Sequence, residues 1–206
     1  MKTILIYSGG MDSTTLLYQL RAAGDTVQAV SFDYGQRHKK ELTAARKICK
    51  KLKVPHKIVD ITAVKDLMRG SALTADIPVP DGHYEDQSMK VTVVPNRNMI
   101  FLALAVAQAV SLKFDRVAMA VHAGDHAIYP DCRPEFIARM RAACHIANYE
   151  AVDVYTPFLK ITKRQIAKIG HKLGVPFAET WTCYKGLAKP CGACGSCTER
   201  AEALMV

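Results

Sequence analysis

A chain of 206 residues, half of them hydrophobic, is long enough for one well-buried globular core, or for one domain with a small appendage. Its formal net charge of +9 favours anionic ligands, yet Lys and Arg are scattered along the chain instead of massed in one tail. The longest apolar stretch, residues 99–112, is short and broken by Gln108 and Ser111, and the opening MKTILIYSGG has no cleavage site at the right distance; neither a membrane span nor a signal peptide is expected, and the chain reads as cytoplasmic.

Strand-like runs and helical periodicities alternate from the start. TILIYS (residues 3–8), VQAVSF (27–32) and HKIVDI (56–61) read as strands. Between them, residues 12–23 and 36–52 carry apolar positions at helical spacing, the first closed by Gly24 and the second halted near Pro55. This order predicts a parallel sheet with covering helices. QRHKK and RKICKKLK hold the densest positive charge, with no aromatic residue interleaved for base stacking; they read as a solvated helix face, and no direct nucleic-acid partner is expected. Residues 69–95 contain three prolines, two glycines and little periodicity, which predicts a long excursion over the surface. A helix is expected at 98–113, a strand at 116–121, a helix at 134–148 and a last strand at 152–156. TKRQIAKIGHKLG adds a helix with a Thr162 cap and a terminating Gly174. The fold class is therefore α/β: a Rossmann-like parallel five-stranded sheet with helices on both faces, spanning residues 1–180, followed by a small metal-held knuckle at 181–206.

YSGGMDSTTLL, residues 7–17, sits where the first strand turns into the first helix, at the ligand edge of a parallel sheet. Gly9 and Gly10 let the backbone approach a phosphate, Ser8 and Ser13 offer hydroxyl donors, and the helix-start amides supply positive potential. This is a phosphate cradle without the usual lysine. The plainer alternative is a glycine-rich turn in which Asp12 or Ser13 only caps a helix. The loop resembles the PP-loop of the N-type ATP pyrophosphatases, whose fold is adenine nucleotide α-hydrolase-like. That resemblance implies ATP contacts from Tyr7, Ser8, Gly9, Gly10 and Met11, then from Asp12, Ser13, Thr14, Thr15, Leu16 and Leu17. It also implies Mg²⁺ at Asp12 and attack of a nucleophile on the α-phosphorus. Magnesium is expected chemically as well, to neutralise the triphosphate and the leaving pyrophosphate.

Three further motifs follow at the same edge: FDYGQRHKKE (32–41), VPNRN (94–98) and HAGDHAIYPDCRPEF (122–136). Asp125 and Asp131 can accept from an N–H edge, Arg133 can hold an anion, and Tyr129 and Phe136 offer aromatic surfaces. Singly, each has another use: Asp131 as a cap, Tyr129 in a turn, Phe136 in the core and Arg133 in a surface ion pair. Together with the opening loop, the set resembles the 7-cyano-7-deazaguanine synthase family along almost the whole chain. The resemblance implies conversion of 7-carboxy-7-deazaguanine and ammonia to the nitrile, driven by ATP, with Asp125, Tyr129, Asp131, Arg133 and Phe136 at the deazaguanine. Lys163 matches a family lysine that meets phosphate or developing charge, so Asp12, Ser13 and Lys163 are the implied catalytic set, and Gln36 and Arg97 are further ATP-side contacts. One departure is Asn96, where the family more often has Gly; Asn tolerates the left-handed backbone better than most residues. The chain also stops soon after RAEAL, leaving less material for a homodimer contact there, although a homodimer is still expected.

Four of the seven cysteines, Cys183, Cys191, Cys194 and Cys197, are spaced C-x7-C-x2-C-x2-C. In an intracellular chain such a cluster suits tetrahedral metal rather than disulfides, and spacing leaves both zinc and an iron–sulfur cluster open. The family resemblance implies one structural zinc. Cys49 and Cys144 read as helix core residues and Cys132 as packing beneath the pocket. Two rivals remain at this level, a tRNA-thiolating enzyme of the same superfamily and a non-catalytic nucleotide-binding module, and carboxylate-dependent pyrophosphate release separates them from the synthase.

Overall fold

The computed structural model describes residues 1–205. Five parallel strands, β1 (Lys2–Ile6), β2 (Thr26–Asp33), β3 (His56–Asp60), β4 (Arg116–Ala118) and β5 (Asp153–Tyr155), form one sheet in the order β3-β2-β1-β4-β5. Register is continuous across it: Ile4 pairs with Gln28 of β2 on one side and with Val117 of β4 on the other. Among the described residues, six α-helices connect and flank the strands: α1 (Met11–Ala22), α2 (Lys40–Leu52), α3 (Arg97–Leu112), α4 (Pro134–Ile146), α5 (Lys163–Lys172) and α6 (Gly195–Leu204).

Alternation along the strands divides the core into two layers. Ile4, Val30, Phe32, Val117 and Val154 face α3 and α4, packing with Leu102, Ala105 and Ile137. Their neighbours Leu5, Val27, Ala29 and Ala118 face the other way, onto Leu16 and Leu20 of α1, Ile48 of α2 and Ile166 of α5. A sheet covered on both faces needs apolar residues at nearly every strand position, which is why these strands read as continuous β-branched runs. Because chain order reverses between β1 and β4, the loops leaving those two strands diverge and open a crevice at the carboxyl edge.

The expected elements are present, with shifted ends. α2 begins at Lys40 and not near residue 36, because residues 34–39 form a turn braced by Gln36. The segment 69–95 departs furthest from expectation. Much of it is exposed, as expected, but it also enters the core: Ala72, Leu73 and Met89 are fully buried and Tyr84 nearly so. Its irregular backbone includes a short 3₁₀ helix at Gln87–Thr92, so its apolar residues follow neither strand nor helix period. The tail also contains more than a knuckle, since α6 packs on α5, its Ala203 joining a buried cluster with Ala167 of α5 and Met11 of α1.

The amino edge of the sheet is closed by a buried polar cluster. Asp25 Oδ2 accepts from Thr3 Oγ1 and from Arg116 Nη2, each at 2.6 Å, and the Asp25 side chain is 5% exposed. Burial alone would raise the carboxyl pKa, but the hydrogen bonds from Thr3, Arg116 and the N-terminal ammonium outweigh it and hold the group below the ordinary carboxylate value. A folded-state pKa below the unfolded one stabilises the fold above the unfolded value and loses that stabilisation as pH falls through the folded one. Asp25→Asn is therefore expected to cost about 2 kcal/mol at neutral pH and to flatten the acid limb below about pH 4, read from urea midpoints across pH.

Candidate active site

The loop after β1 carries a constraint that only glycine meets. Gly9 has φ +81, and a Cβ there would lie 2.6 Å from the Glu41 carbonyl and 2.7 Å from the Ala45 nitrogen of α2. The Gly9 carbonyl accepts from the Trp181 N–H at 3.0 Å, so this residue also fastens the start of the tail. Beyond it, Ser8 Oγ and Ser13 Oγ lie 3.0 Å apart, and Ser8 Oγ accepts from the Gly10 N–H. α1 therefore begins beneath two hydroxyls with its first amides turned toward the crevice, the arrangement that suits a bound anion.

A cleft of about 220 Å³ opens over this loop. Tyr7, Ser8, Asp12 and Ser13 line it from the loop, and Arg97, Asp125 and Tyr129 line it from the later motifs. One wall is aromatic: Phe32 and Phe101 stack with centroids 4.3 Å apart at 17°, and Tyr34 lies against Phe101 at 5.5 Å. Burial pushes the Tyr34 hydroxyl up to about 12, against the lowering effect of nearby Arg97, so it is a neutral donor at physiological pH.

A buried cation stands beside the loop. Lys163, the first residue of α5, follows a capping box in which Thr162 Oγ1 accepts from the Gln165 N–H and Gln165 Oε1 accepts from the Thr162 N–H. Its ammonium donates to Glu199 Oε2 at 2.5 Å, lies 3.4 Å from Asp12 Oδ2 and sits 5.1 Å from the centre of the Tyr84 ring. Burial disfavours the charge, but the Asp12 and Glu199 carboxylates outweigh it and raise the lysine above its ordinary value. Burial also raises the Glu199 carboxyl, partly offset by Lys163. Tyr84 donates to Asp125 Oδ1 at 3.0 Å, while Asp125 Oδ2 accepts from the His122 N–H. His122 Nδ1 accepts from Gly124, which leaves Nε2 as the protonated nitrogen, 3.5 Å from Asp125 and 3.9 Å from Asp12. Asp12 Oδ1 is buried without any partner.

The remaining candidates from the sequence lie outside the cleft lining. Met11, Thr14, Thr15, Leu16 and Leu17 are buried in the core, with Thr14 Oγ1 at 3.1 Å from the Tyr7 hydroxyl. Gln36 is buried and bonds the Tyr34 N–H, the Phe32 carbonyl and Glu41. Asp131 accepts from the Asn98 N–H and so caps α3 across the fold. Arg133 is exposed and donates to the His126 carbonyl, and Phe136 packs against the core. The reading from sequence did not single out Tyr84, His122, Glu199 or Tyr184, the last of which also lines the cleft. Only the HAGD run carrying His122 stood in a motif, and the others come from segments whose place in the fold has no periodic signal.

The four tail sulfurs lie within 4.8 Å of one another, with Cys191 Sγ and Cys197 Sγ 3.9 Å apart. A tetrahedron with metal–sulfur bonds of about 2.3 Å has edges of about 3.8 Å, so the donor set fits such an ion. Desolvation raises the Cys191 thiol, but N–H donation from Ala193 and Cys194 outweighs it and brings the pKa to about 7, favouring the ligating thiolate. Cys49 and Cys144 are buried in α2 and α4, and Cys132 lines the cleft. No helix among the described residues is long and apolar enough to cross a membrane.

Known proteins share this architecture and sequence. The 4-thiouridine synthetase in an RNA complex with bound ATP superposes with TM-score 0.56 at 16% identity, covering 98% of this chain and 50% of that one. The NH3-dependent NAD synthetase of Campylobacter jejuni gives 0.52 at 18% identity, covering 86% and 66%. These likenesses establish the fold. Sequence relatives are much nearer: the 7-cyano-7-deazaguanine synthase of Pseudoalteromonas translucida is 57% identical over 100% of this chain and 94% of its own length. That of Methanoregula boonei is 53% identical over 98% and 94%. Residues 2–206 match the family described as "Queuosine biosynthesis protein QueC", and with that match the chain belongs to the QueC family.

Proposed function

We propose that this protein is an ATP-dependent 7-cyano-7-deazaguanine synthase, converting 7-carboxy-7-deazaguanine and ammonia to the nitrile in the cytoplasm. The observation that carries the reading is the meeting of Ser8, Asp12 and Ser13 with Asp125 and Tyr129 in one cleft, with the buried Lys163 ammonium 3.4 Å behind Asp12 Oδ2. The names of relatives identical at more than half of positions support it.

A carboxylate is a poor electrophile, so its oxygen first attacks the α-phosphorus of ATP and pyrophosphate leaves. Ammonia then adds to the acyl-adenylate and displaces AMP, giving the amide. A second ATP adenylates the amide oxygen, and loss of AMP with the remaining N–H proton leaves C≡N. Both rounds use one site from which water is kept out by the aromatic wall. Ser8, Ser13 and the first amides of α1 hold phosphate, and Lys163 offsets the charge that develops on it. Asp125 and Tyr129 take the polar edge of the deazaguanine, with its plane against the aromatic side chains. Mg²⁺ bound with the nucleotide would neutralise the phosphates, and Asp12 Oδ1, a hard oxygen without a partner, fits that ion. The four cysteines would hold a structural zinc, with no ligand position left for water.

Incubation with ATP, Mg²⁺, the carboxylate and ammonium is expected to yield the nitrile by mass spectrometry, with pyrophosphate release that requires the carboxylate. Asp12→Asn and Ser13→Ala should each lower kcat/KM for ATP by roughly 100-fold, in line with loss of a preorganised charge-stabilising contact. A wild-type preparation that releases no carboxylate-dependent pyrophosphate refutes the assignment. Elemental analysis should find one zinc per chain, and stripping it should lower Tm markedly, because Cys183, Cys194 and Cys197 belong to the main core. Iron with visible charge-transfer absorption would instead mark a cluster.

A further inference from the structure

We propose that Glu199 is a positioning residue that draws the Lys163 ammonium away from Asp12, leaving the unpartnered Asp12 Oδ1 for the divalent cation that accompanies ATP. The inference rests on the ATP reading above and adds to it a residue that only the fold brings into place.

Asp12 and Glu199 compete for one ammonium. Lys163 Nζ is 2.5 Å from Glu199 Oε2 and 3.4 Å from Asp12 Oδ2, so Glu199 has the nearer hold. The other Asp12 oxygen, buried and without a partner, is the kind of orphaned acceptor that a protein interior rarely leaves unused. The Glu199 side chain is 13% exposed, and its position is enforced from several directions. A Cβ on Gly124 would lie 2.8 Å from Glu199 Oε1, so glycine there makes the space for the carboxylate. The next residue, Arg200, donates to the Phe177 carbonyl at 2.6 Å and to Thr180 Oγ1 at 2.7 Å, locking α6 to the segment that leads into the tail. α6 itself opens at the cysteines, with Cys194 as its N-cap and Cys197 in its first turn, so the metal-held knuckle fixes the helix that carries Glu199.

Neutralising Glu199 leaves Asp12 as the nearest full charge to the ammonium. Lys163 then closes on Asp12, and a cation approaching Oδ1 must compete with it. The expected signature is a greater need for Mg²⁺, not a general loss of ATP binding.

The test is the Mg²⁺ dependence of binding of a methylene-bridged ATP analogue, followed calorimetrically on zinc-loaded protein. Glu199→Gln should raise the half-saturating Mg²⁺ about tenfold while affinity at saturating Mg²⁺ stays within threefold of wild type. In a Lys163→Met background the same substitution should shift the Mg²⁺ midpoint less than twofold, because no ammonium remains to collapse. Glu199→Asp, which keeps the charge on a shorter arm, should shift it in the same direction by less, and it serves if the Gln variant loses zinc or its folded transition. An unchanged midpoint in wild-type background, or an equal shift with and without Lys163, overturns the proposal. Wild-type protein that binds no analogue at any Mg²⁺ concentration removes the ATP reading, and this proposal with it.

Discussion

The site depends on how closely the turn after β1 lies against α2. Gly9 packs against the Glu41 carbonyl and the Ala45 nitrogen with no room for a methyl group, in a left-handed conformation that L side chains avoid. That contact sets the height of the loop above the sheet, and hence where α1 starts and where its free amides point. The Gly9 carbonyl also anchors Trp181, so the first turn of the fold and the last segment of the chain are referenced to one residue. The phosphate cradle proposed for this loop lacks a loop lysine, so its positive charge must come from elsewhere in the fold.

The charge arrives as Lys163, and its environment explains how a lysine can be buried at the end of a helix. An ammonium removed from water requires opposing charge at hydrogen-bond range, and Asp12 and Glu199 supply it from two sides, with the Tyr84 ring beneath. The arrangement is costly to assemble and would be weak evidence for stability alone. In the proposed function its placement beside the start of α1 gives it another use, since an anionic ligand can exchange with either carboxylate for the same cation.

How far the sequence revealed this fold depends on the periodicity of each segment. The strands and helices were legible because a doubly covered sheet imposes β-branched runs and amphipathic helices impose a 3.6-residue repeat. The four cysteines were legible because thiolate spacing is short-range. Residues 69–95 were not, since Leu73, Tyr84 and Met89 enter the core from turns and a 3₁₀ segment whose burial follows tertiary contacts only. That segment is held by the tail: Gly82 N–H donates to the Ala193 carbonyl, Lys185 pairs with Asp81, and the backbones of Asp81 and Cys194 form an isolated antiparallel β-bridge. Glu199 was hidden for the same reason, because nothing local distinguishes it from Glu202 on the same helix. Asp131 and Arg133 share one short motif, yet Asp131 turns inward to cap α3 and Arg133 outward to solvent, a division that adjacency in sequence does not record.

Asn96, at a position where the resemblance implies glycine, shows the other limit, a residue whose backbone the structure absorbs. Its φ of 58 and ψ of 16 place it in the left-handed region just before Arg97, where glycine is the default residue. Asn is among the few side chains that tolerate this region, at a cost of about 1 kcal/mol relative to glycine. Position 96 is exposed, so its Cβ has only the backbone strain to meet, whereas at Gly9 the same conformation is combined with contact to α2. Strain alone can be carried by a small polar residue; strain combined with close packing cannot. The start of α3 is thus formed with Asn96, capped from across the fold by Asp131, and Arg97 lines the cleft.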